Sequence, residues 1–526
     1  MFRNLFLIVL TLLSITVFGQ VSGGKLKPEQ ANMDIRHYNI HLEVIPESKE
    51  LKGFTEIDLI LQQAASSMII DLDSRYKVSN VSVDGKKANF QHLEGLITTI
   101  GNYGAGKHQL KIEYAGNPPV AKRAPWDGGI QWSVDSLNRP WIALTCQEDG
   151  AKIFFPCKDH PSDEPNEGAD MVITVPKGLV VAGPGLLVKV SHSGKKSTYH
   201  WKTNYTINNY CLVFNVGHYV VVSRKYKSSA GNSIPMEYYV LDYNKPRAEK
   251  HLDLFERSAH MLEKYFGEYP WAKEKMAMAE TPHLGMEHQT MNAYGNQYRY
   301  TKMGEVDFDW LMHHEFGHEW WANKVSNNDW GHMWIQEGIC SFGDALFTEE
   351  YGGRRAYIDL MKRNAIVARN TLPIVQGDTV DSRQAYHPDI YGKGAYFMHT
   401  LRFVLGDDVF FPALKSFIMN PNYTYDHMVD TKDVLLHFNA ASNRDLKPLF
   451  DLYLYTTNKL EVLVKEKNPG VYSISLGNMN MDLPIEVIGS EGKQKLILSS
   501  KPVEFKSNAV PQIDPDGYYM KRVTID

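Results

Sequence analysis

The sequence predicts a multidomain α+β chain: a β-sandwich-like N-terminal domain, a mostly helical middle and a small C-terminal β domain. Three observations predict it. From about 30 to 225, short runs of alternating apolar and polar residues are separated by turn residues, the pattern of half-buried strands. From about 245 to 455 the apolar spacing lengthens to that of helices. After Asn458 short strands return. The 526 residues leave room for about three domains at ~150 residues each, and the pattern changes place them at 25–230, 231–457 and 458–526.

Taken in order, Tyr38, Ile40, Leu42 and Val44 alternate with Asn39, His41 and Glu43, a half-buried strand. Asp84-Gly85 after Val81-Ser82-Val83 predicts a hairpin turn, because both residues tolerate positive φ. Further strands are expected at Leu110 to Tyr114, Asp170 to Val175 and Cys211 to Val216. The run Ser191 to Lys196 is a turn between strand-like segments at Leu186 to Val190 and Thr198 to Trp201. Leu252, Phe255, Ala259, Leu262 and Phe266 mark a helix that Gly267 stops. Helical spacing continues through Val306 to Val325, Met333 to Phe347, Gly394 to Val404 and Phe411 to Met419. The tail offers strands at Leu460 to Val464, Val471 to Leu476, Ile485 to Ile488 and Lys495 to Leu498.

Hydrophobic content of 43% and charged content of 22% are those of a globular protein. A net charge of −5 argues against nucleic acid or an anionic membrane surface as a partner. Arg3, the apolar run Leu5 to Phe18, and small Val17 and Gly19 form an expected signal peptide over 1–19. An uncleaved anchor is the rival reading. Cleavage implies an exported protein, periplasmic or secreted, with no stable membrane insertion afterwards. The four cysteines have no C-x-x-C spacing and are expected to be buried thiols.

The chemistry concentrates at His313-His314-Glu315-Phe316-Gly317-His318. On a helix, residues four apart share a face, so His314 and His318 can grip one zinc ion with Glu315 beside it as general base. Glu337, after eighteen intervening residues, can bring a third ligand from a second helix. Two His and one Glu leave a position for water, the pattern of catalytic zinc, one ion per chain. His313 points elsewhere and is expected to pack. Asp344, two helical turns beyond Glu337, is either a carboxylate that orients a zinc-bound His or an ordinary polar helix residue.

Several separate stretches carry a resemblance. His314-Glu315-x-x-His318 with Glu337 resembles the zinc signature of the M1-family aminopeptidases, the gluzincins of the aminopeptidase N and leukotriene A-four hydrolase type. His318 to Val325 resembles their H-x-W-x-G-N-x-V continuation, with Ala322 in place of Gly. Leu284-Gly285-Met286-Glu287-His288 resembles the G-x-M-E-N exopeptidase motif, with Leu284 and His288 as departures. Tyr391-Gly392-Lys393-Gly394 resembles Y-x-K-G, and Phe155-Pro156-Cys157-Lys158-Asp159 resembles F-P-C-x-D.

The resemblance runs from about 30 to the end. It implies a thermolysin-like catalytic domain at 231–457 and a short form lacking the large C-terminal helical domain of many members. It implies that Glu287 binds a substrate amine, helped by Gln147 with Glu148 as the alternative, while Gly285 and Met286 line the site. It implies that Tyr391 donates a hydrogen bond to the oxyanion, with Tyr386 as the runner-up. The function expected is a zinc-dependent aminopeptidase acting on peptides with a free N-terminus. The rivals are a thermolysin-like endopeptidase, a bifunctional epoxide hydrolase and a binding scaffold on an inactive peptidase fold. Oligomeric state has no signal in the sequence.

Overall fold

The computed structural model describes residues 21–425 and 427–526, so the expected signal segment lies outside the described residues. The N-terminal part is built on an eight-stranded sheet. At its centre Met33–Ile45 pairs antiparallel with Glu50–Leu61 and parallel with Ala169–Pro176. Alternation in Met33–Ile45 sends Ile40, Leu42 and Val44 into the core, as period-two patterning requires. The Asp84-Gly85 hairpin forms, both residues having positive φ, between Tyr76–Val83 and Lys86–Lys87. The turn at Gly194 and Lys195 joins Leu186–Ser193 to Lys196–Thr203. A three-stranded sheet and a four-stranded sheet complete this part. Cys157 bridges to Asp71 by paired backbone hydrogen bonds of 2.9 and 3.1 Å, which ties the Phe155 to Asp159 segment to that framework.

A separate sheet of five strands follows, in the order Tyr219–Lys227, Ser233–Leu241, Met276–Glu280, Asn292–Tyr294, Gly285–Met286. Its first two strands form one hairpin across the boundary expected at 230. The sheet that carries Met286 therefore begins near Tyr219, and the helical middle has a β foundation that the periodicity did not separate from the N-terminal strands. Helices at Lys245–Phe266 and Trp310–Gly317 pack on it, and those at Trp334–Val367, Asp389–Leu405 and Asp407–Ile418 pack against these helices and one another. Gly267 ends the first of these at φ 95°. The tail forms two small sheets, with Leu460–Asn468 parallel to Lys521–Ile525.

Two local expectations fail. Cys211 sits in a short 3-10 turn, Asn209–Cys211, and only Asn215–Gly217 is extended. An apolar run of this length is equally consistent with a buried turn. Helical spacing does not extend through Val306 to Val325 either. Val306–Phe308 is a strand, and the helix ends at Gly317, where buried Trp320 and Trp321 pack instead of continuing it. All four cysteines are free and buried. No described helix is long and apolar enough to cross a membrane.

Candidate active site

The helix Trp310–Gly317 is short, and isolated helices of its length are unstable in water. Its position is fixed by tertiary contacts. Asp309 caps it by accepting from Met312 N, and the same buried carboxylate takes Asn296 Nδ2 at 2.9 Å, Tyr294 OH at 2.5 Å and His251 Nε2 at 3.1 Å. At the other end Glu319, fully buried, accepts from Trp271 Nε1 (2.8 Å), Thr290 N (2.9 Å) and Asn292 Nδ2 (3.2 Å). These contacts join the helix to the five-stranded sheet. Burial raises the Glu319 carboxyl to about 8.

His314 and His318 point to one place. Their Nε2 atoms are 3.2 Å apart and lie 3.5 and 3.3 Å from Glu337 Oε2, delivered by the first turn of Trp334–Val367. Four ligands on one zinc ion at bonds of about 2.1 Å stand roughly 3.4 Å from one another. The triangle therefore has the dimensions of a zinc site. His314 Nδ1 faces Asp344 Oδ2 at 2.9 Å and His318 Nδ1 faces the Trp321 carbonyl at 2.8 Å. If each Nδ1 carries the proton, both Nε2 lone pairs meet the Glu337 carboxylate with no hydrogen between them, an arrangement that calls for a cation. Burial works against ionisation of Glu337, and positive charge on the His318 and His314 imidazoles would hold it down to about 2, so this carboxylate answers to a cation at this point. Cys340 Sγ also approaches the two imidazoles, but it donates to the His314 carbonyl at 3.0 Å. Glu337 is the better-placed third ligand. His313 is buried against Phe308 and Phe347, a packing residue.

A cavity of about 210 Å³ opens beside this triangle. It is lined by Glu315, Glu287, Gly285, Met286, Gln147, Glu148, Tyr386 and Tyr391 among others, so every residue expected at the site borders one space. Burial and the Glu287 carboxylate raise the pKa of Glu315. Gly285 lies on the edge strand, where a Cβ would stand 2.7 Å from Glu315 Oε1 and 2.8 Å from Leu311 Cδ1. Its missing side chain lets strand and helix touch.

Glu287 is buried, and its Oε1 accepts from Gln147 Nε2 at 2.5 Å and Tyr210 OH at 3.0 Å. Asn323 Nδ2 holds its backbone carbonyl at 2.9 Å. Burial raises the Glu287 pKa. Tyr391 OH donates to Tyr386 OH at 3.1 Å, so the two tyrosines act as a pair. Burial pushes Tyr386 up to about 12 and Tyr391 well above its usual value, so both stay protonated.

Sequence reasoning missed Tyr210, Glu319, Asp309 and the cavity wall of Pro125, Trp126 and Trp310. Only Glu319 and Asp309 carried a signal, as carboxylates flanking the zinc motif. Ala322, where the resembling motif has Gly, adopts φ 137°, a conformation that L side chains rarely take. The segment Val21 to Gly24 crosses the outer side of the cavity wall. Ser22 N donates to the Glu148 carbonyl (2.9 Å), Ser382 N to the Ser22 carbonyl (3.0 Å) and Gly24 N to the Val380 carbonyl (3.2 Å).

A helix-borne pair of His, a third carboxylate from a second helix and an adjacent Glu define the class of zinc-dependent hydrolases. Residues 251–453 match the peptidase family M1 domain and residues 35–210 the peptidase M1 N-terminal domain. Together these span well over half of the sequence, and the chain belongs to peptidase family M1. It is 22% identical over 421 residues to aminopeptidase M1-B of Oryza sativa subsp. japonica, covering 73% of this chain and 46% of that protein. It is 20% identical over 498 residues to tricorn protease-interacting factor F2 of Thermoplasma acidophilum, covering 87% and 59%. With leukotriene A-4 hydrolase of Xenopus laevis the identity is 24% over 471 residues, covering 83% and 70%. The chain thus spans about half the length of the first two relatives. The M1 zinc metallopeptidase of Deinococcus radiodurans shares the fold at a TM-score of 0.67 and 20% identity, over 83% of this chain and 96% of that one.

Proposed function

We propose that this chain is a zinc-dependent aminopeptidase that hydrolyses the first peptide bond of substrates with a free N-terminus. The observation that carries the reading is the buried carboxylate of Glu287, held by Gln147 and Tyr210 in the same cavity as the His314, His318 and Glu337 triangle. A peptide N-terminus has a pKa near ~7.7–8.0 and is largely cationic at neutral pH. Glu287 supplies the opposite charge, and the Gln147 side-chain oxygen adds an acceptor without charge. An ammonium fixed there sets the first peptide bond beside the zinc ligands, whereas an internal segment brings no cation to Glu287.

Bound zinc supplies a Lewis acid and a water that loses its proton near neutral pH. Glu315, at the wall of the same space, takes that proton and returns it to the leaving amine. Tyr391 turns its one hydroxyl proton from Tyr386 to the carbonyl oxygen where negative charge develops, and Tyr386 then donates to the Tyr391 oxygen and holds it in place. Asp344 and the Trp321 carbonyl fix the ring orientation of the two histidines.

The test is cleavage of one peptide with a free or an acetylated N-terminus, followed by mass spectrometry, with a chelator control. The expected result is chelator-sensitive removal of single residues from the free peptide only. Internal cuts in both peptides would replace the reading with an endopeptidase, and no cleavage by zinc-loaded protein would replace it with a binding scaffold.

The export reading rests on Arg3, the apolar run to Phe18 and the small residues Val17 and Gly19. It places the mature protein in the periplasm or outside the cell, free of the membrane. N-terminal sequencing of protein from cell fractions checks it: a start at Gln20 is expected, and a start at Met1 overturns it.

A further inference from the structure

Four carboxylates line the cavity: Glu148, Glu287, Glu315 and Glu337. Three have roles in the reading above. Glu148 has none, and no lysine or arginine lines the space with it. Among the described residues its carboxylate has no hydrogen bond and no ion pair, although Asp149 beside it accepts from Gly128 N. Its backbone is fixed, with the carbonyl taken by Ser22 N and Ser382 Oγ. The side chain therefore stands against the cavity on a rigid support, unpartnered.

The surroundings say what kind of group it awaits. The same wall carries Pro125, Trp126, Leu284, Met286 and Trp310, an apolar surface with one carboxylate in it. Glu148 follows Gln147 directly, and Met286 precedes Glu287 directly. Each half of the amine anchor is thus flanked by a residue of this wall, where the side chain of a bound first residue would reach. A long aliphatic stem ending in a cation matches such a surface: the stem covers apolar atoms and the tip meets the charge. Trp126, partly exposed, offers a ring face for the same cation. Burial, with Asp149 and Asp127 nearby, lifts the Glu148 pKa to about 7, and Arg383 and Arg123, outside the cavity lining, offset this only in part. A cationic ligand would relieve that cost.

We propose that Glu148 is the specificity-determining residue of the pocket for the first side chain, and that it selects peptides beginning with lysine or arginine. The proposal rests on the aminopeptidase reading and names the substrate class of that site.

The experiment compares kcat/KM for peptides that differ only in the first residue, lysine against norleucine and arginine against citrulline, in the zinc-loaded wild type, Glu148→Gln and Glu148→Lys. The cationic member of each pair is expected to be favoured by about tenfold or more in the wild type, the worth of a hydrogen bond to a charged group. Glu148→Gln should collapse both ratios towards one, and Glu148→Lys should invert them. A wild-type ratio near one, or a ratio that survives Glu148→Gln, overturns the proposal. If no peptide is cleaved, the aminopeptidase reading fails separately. Calorimetric binding of free lysine against norleucine then tests the pocket alone: preference for lysine, lost in Glu148→Gln, upholds it, and equal affinity overturns it.

Discussion

The cavity has two ends, and they are made differently. At the metal end His314, Glu315 and His318 come from one helix and Glu337 from the first turn of another. At the proposed amine end Glu287 comes from the edge of the five-stranded sheet, while Gln147 and Tyr210 belong to the N-terminal part and are 140 and 77 residues away in sequence. Local helical geometry makes the first end, and the joining of two domains makes the second. On the proposed reading, the chemistry sits on two helices and recognition on the seam between domains.

Substitutions should separate the two ends by what they change. The largest effect is expected for Glu315→Gln, with kcat lower by about 10²–10⁴-fold and zinc content by metal analysis unchanged. Near-normal turnover would remove Glu315 as the base. Next comes Tyr391→Phe, expected to lower kcat by roughly 10²-fold, again with zinc retained. An unchanged kcat would move the donor role to Tyr386. At the other end Glu287→Ala should act mainly on the discrimination between free and acetylated N-termini. It leaves Tyr210 and Gln147 without their acceptor, a loss of about 1–3 kcal/mol that should also appear as a lower melting temperature. Retained discrimination would assign the amine elsewhere.

Two smaller changes probe the seam between the ends. Gly285→Ala puts a methyl into the Glu315 carboxylate, so kcat should fall several-fold while zinc content and fold stay intact; steady-state kinetics alone decides it. Ala322→Gly relaxes a backbone at φ 137° and should stabilise the protein by about 1 kcal/mol, read in denaturant melts. A destabilised variant would show that the Ala322 methyl packs too well to lose.

The same contrast explains what was legible in the sequence. The i, i+4 spacing of His314 and His318 is a local fact, and a helix turns it into a metal grip without help from elsewhere. The Asp84-Gly85 hairpin and the Gly267 stop are legible for the same reason: a dipeptide or a single residue sets the backbone. Glu287 and Gln147 emerged from the family resemblance, because no spacing connects residues 140 apart. Tyr210 immediately precedes the expected strand Cys211 to Val216, and its hydroxyl matters only once the N-terminal part is seated on the sheet. The end of the motif helix at Gly317 was invisible, since Trp320 and Trp321 keep an apolar spacing that tertiary packing uses differently. The hairpin across residue 230 was invisible too, because strands of adjoining sheets share one period.

The contacts of Val21 to Gly24 have a practical meaning for anyone handling this protein. That stretch holds Glu148 to the loop of Val380 and Ser382, which leads into Tyr386 and Tyr391. A gene trimmed to begin at residue 25 or later would keep every ligand, base and anchor in its reading frame, yet remove the backbone bridge that reinforces the direct Ser382 to Glu148 bond between two sides of the cavity. Its product would bind metal normally and handle peptides poorly, a defect easily blamed on the wrong residue.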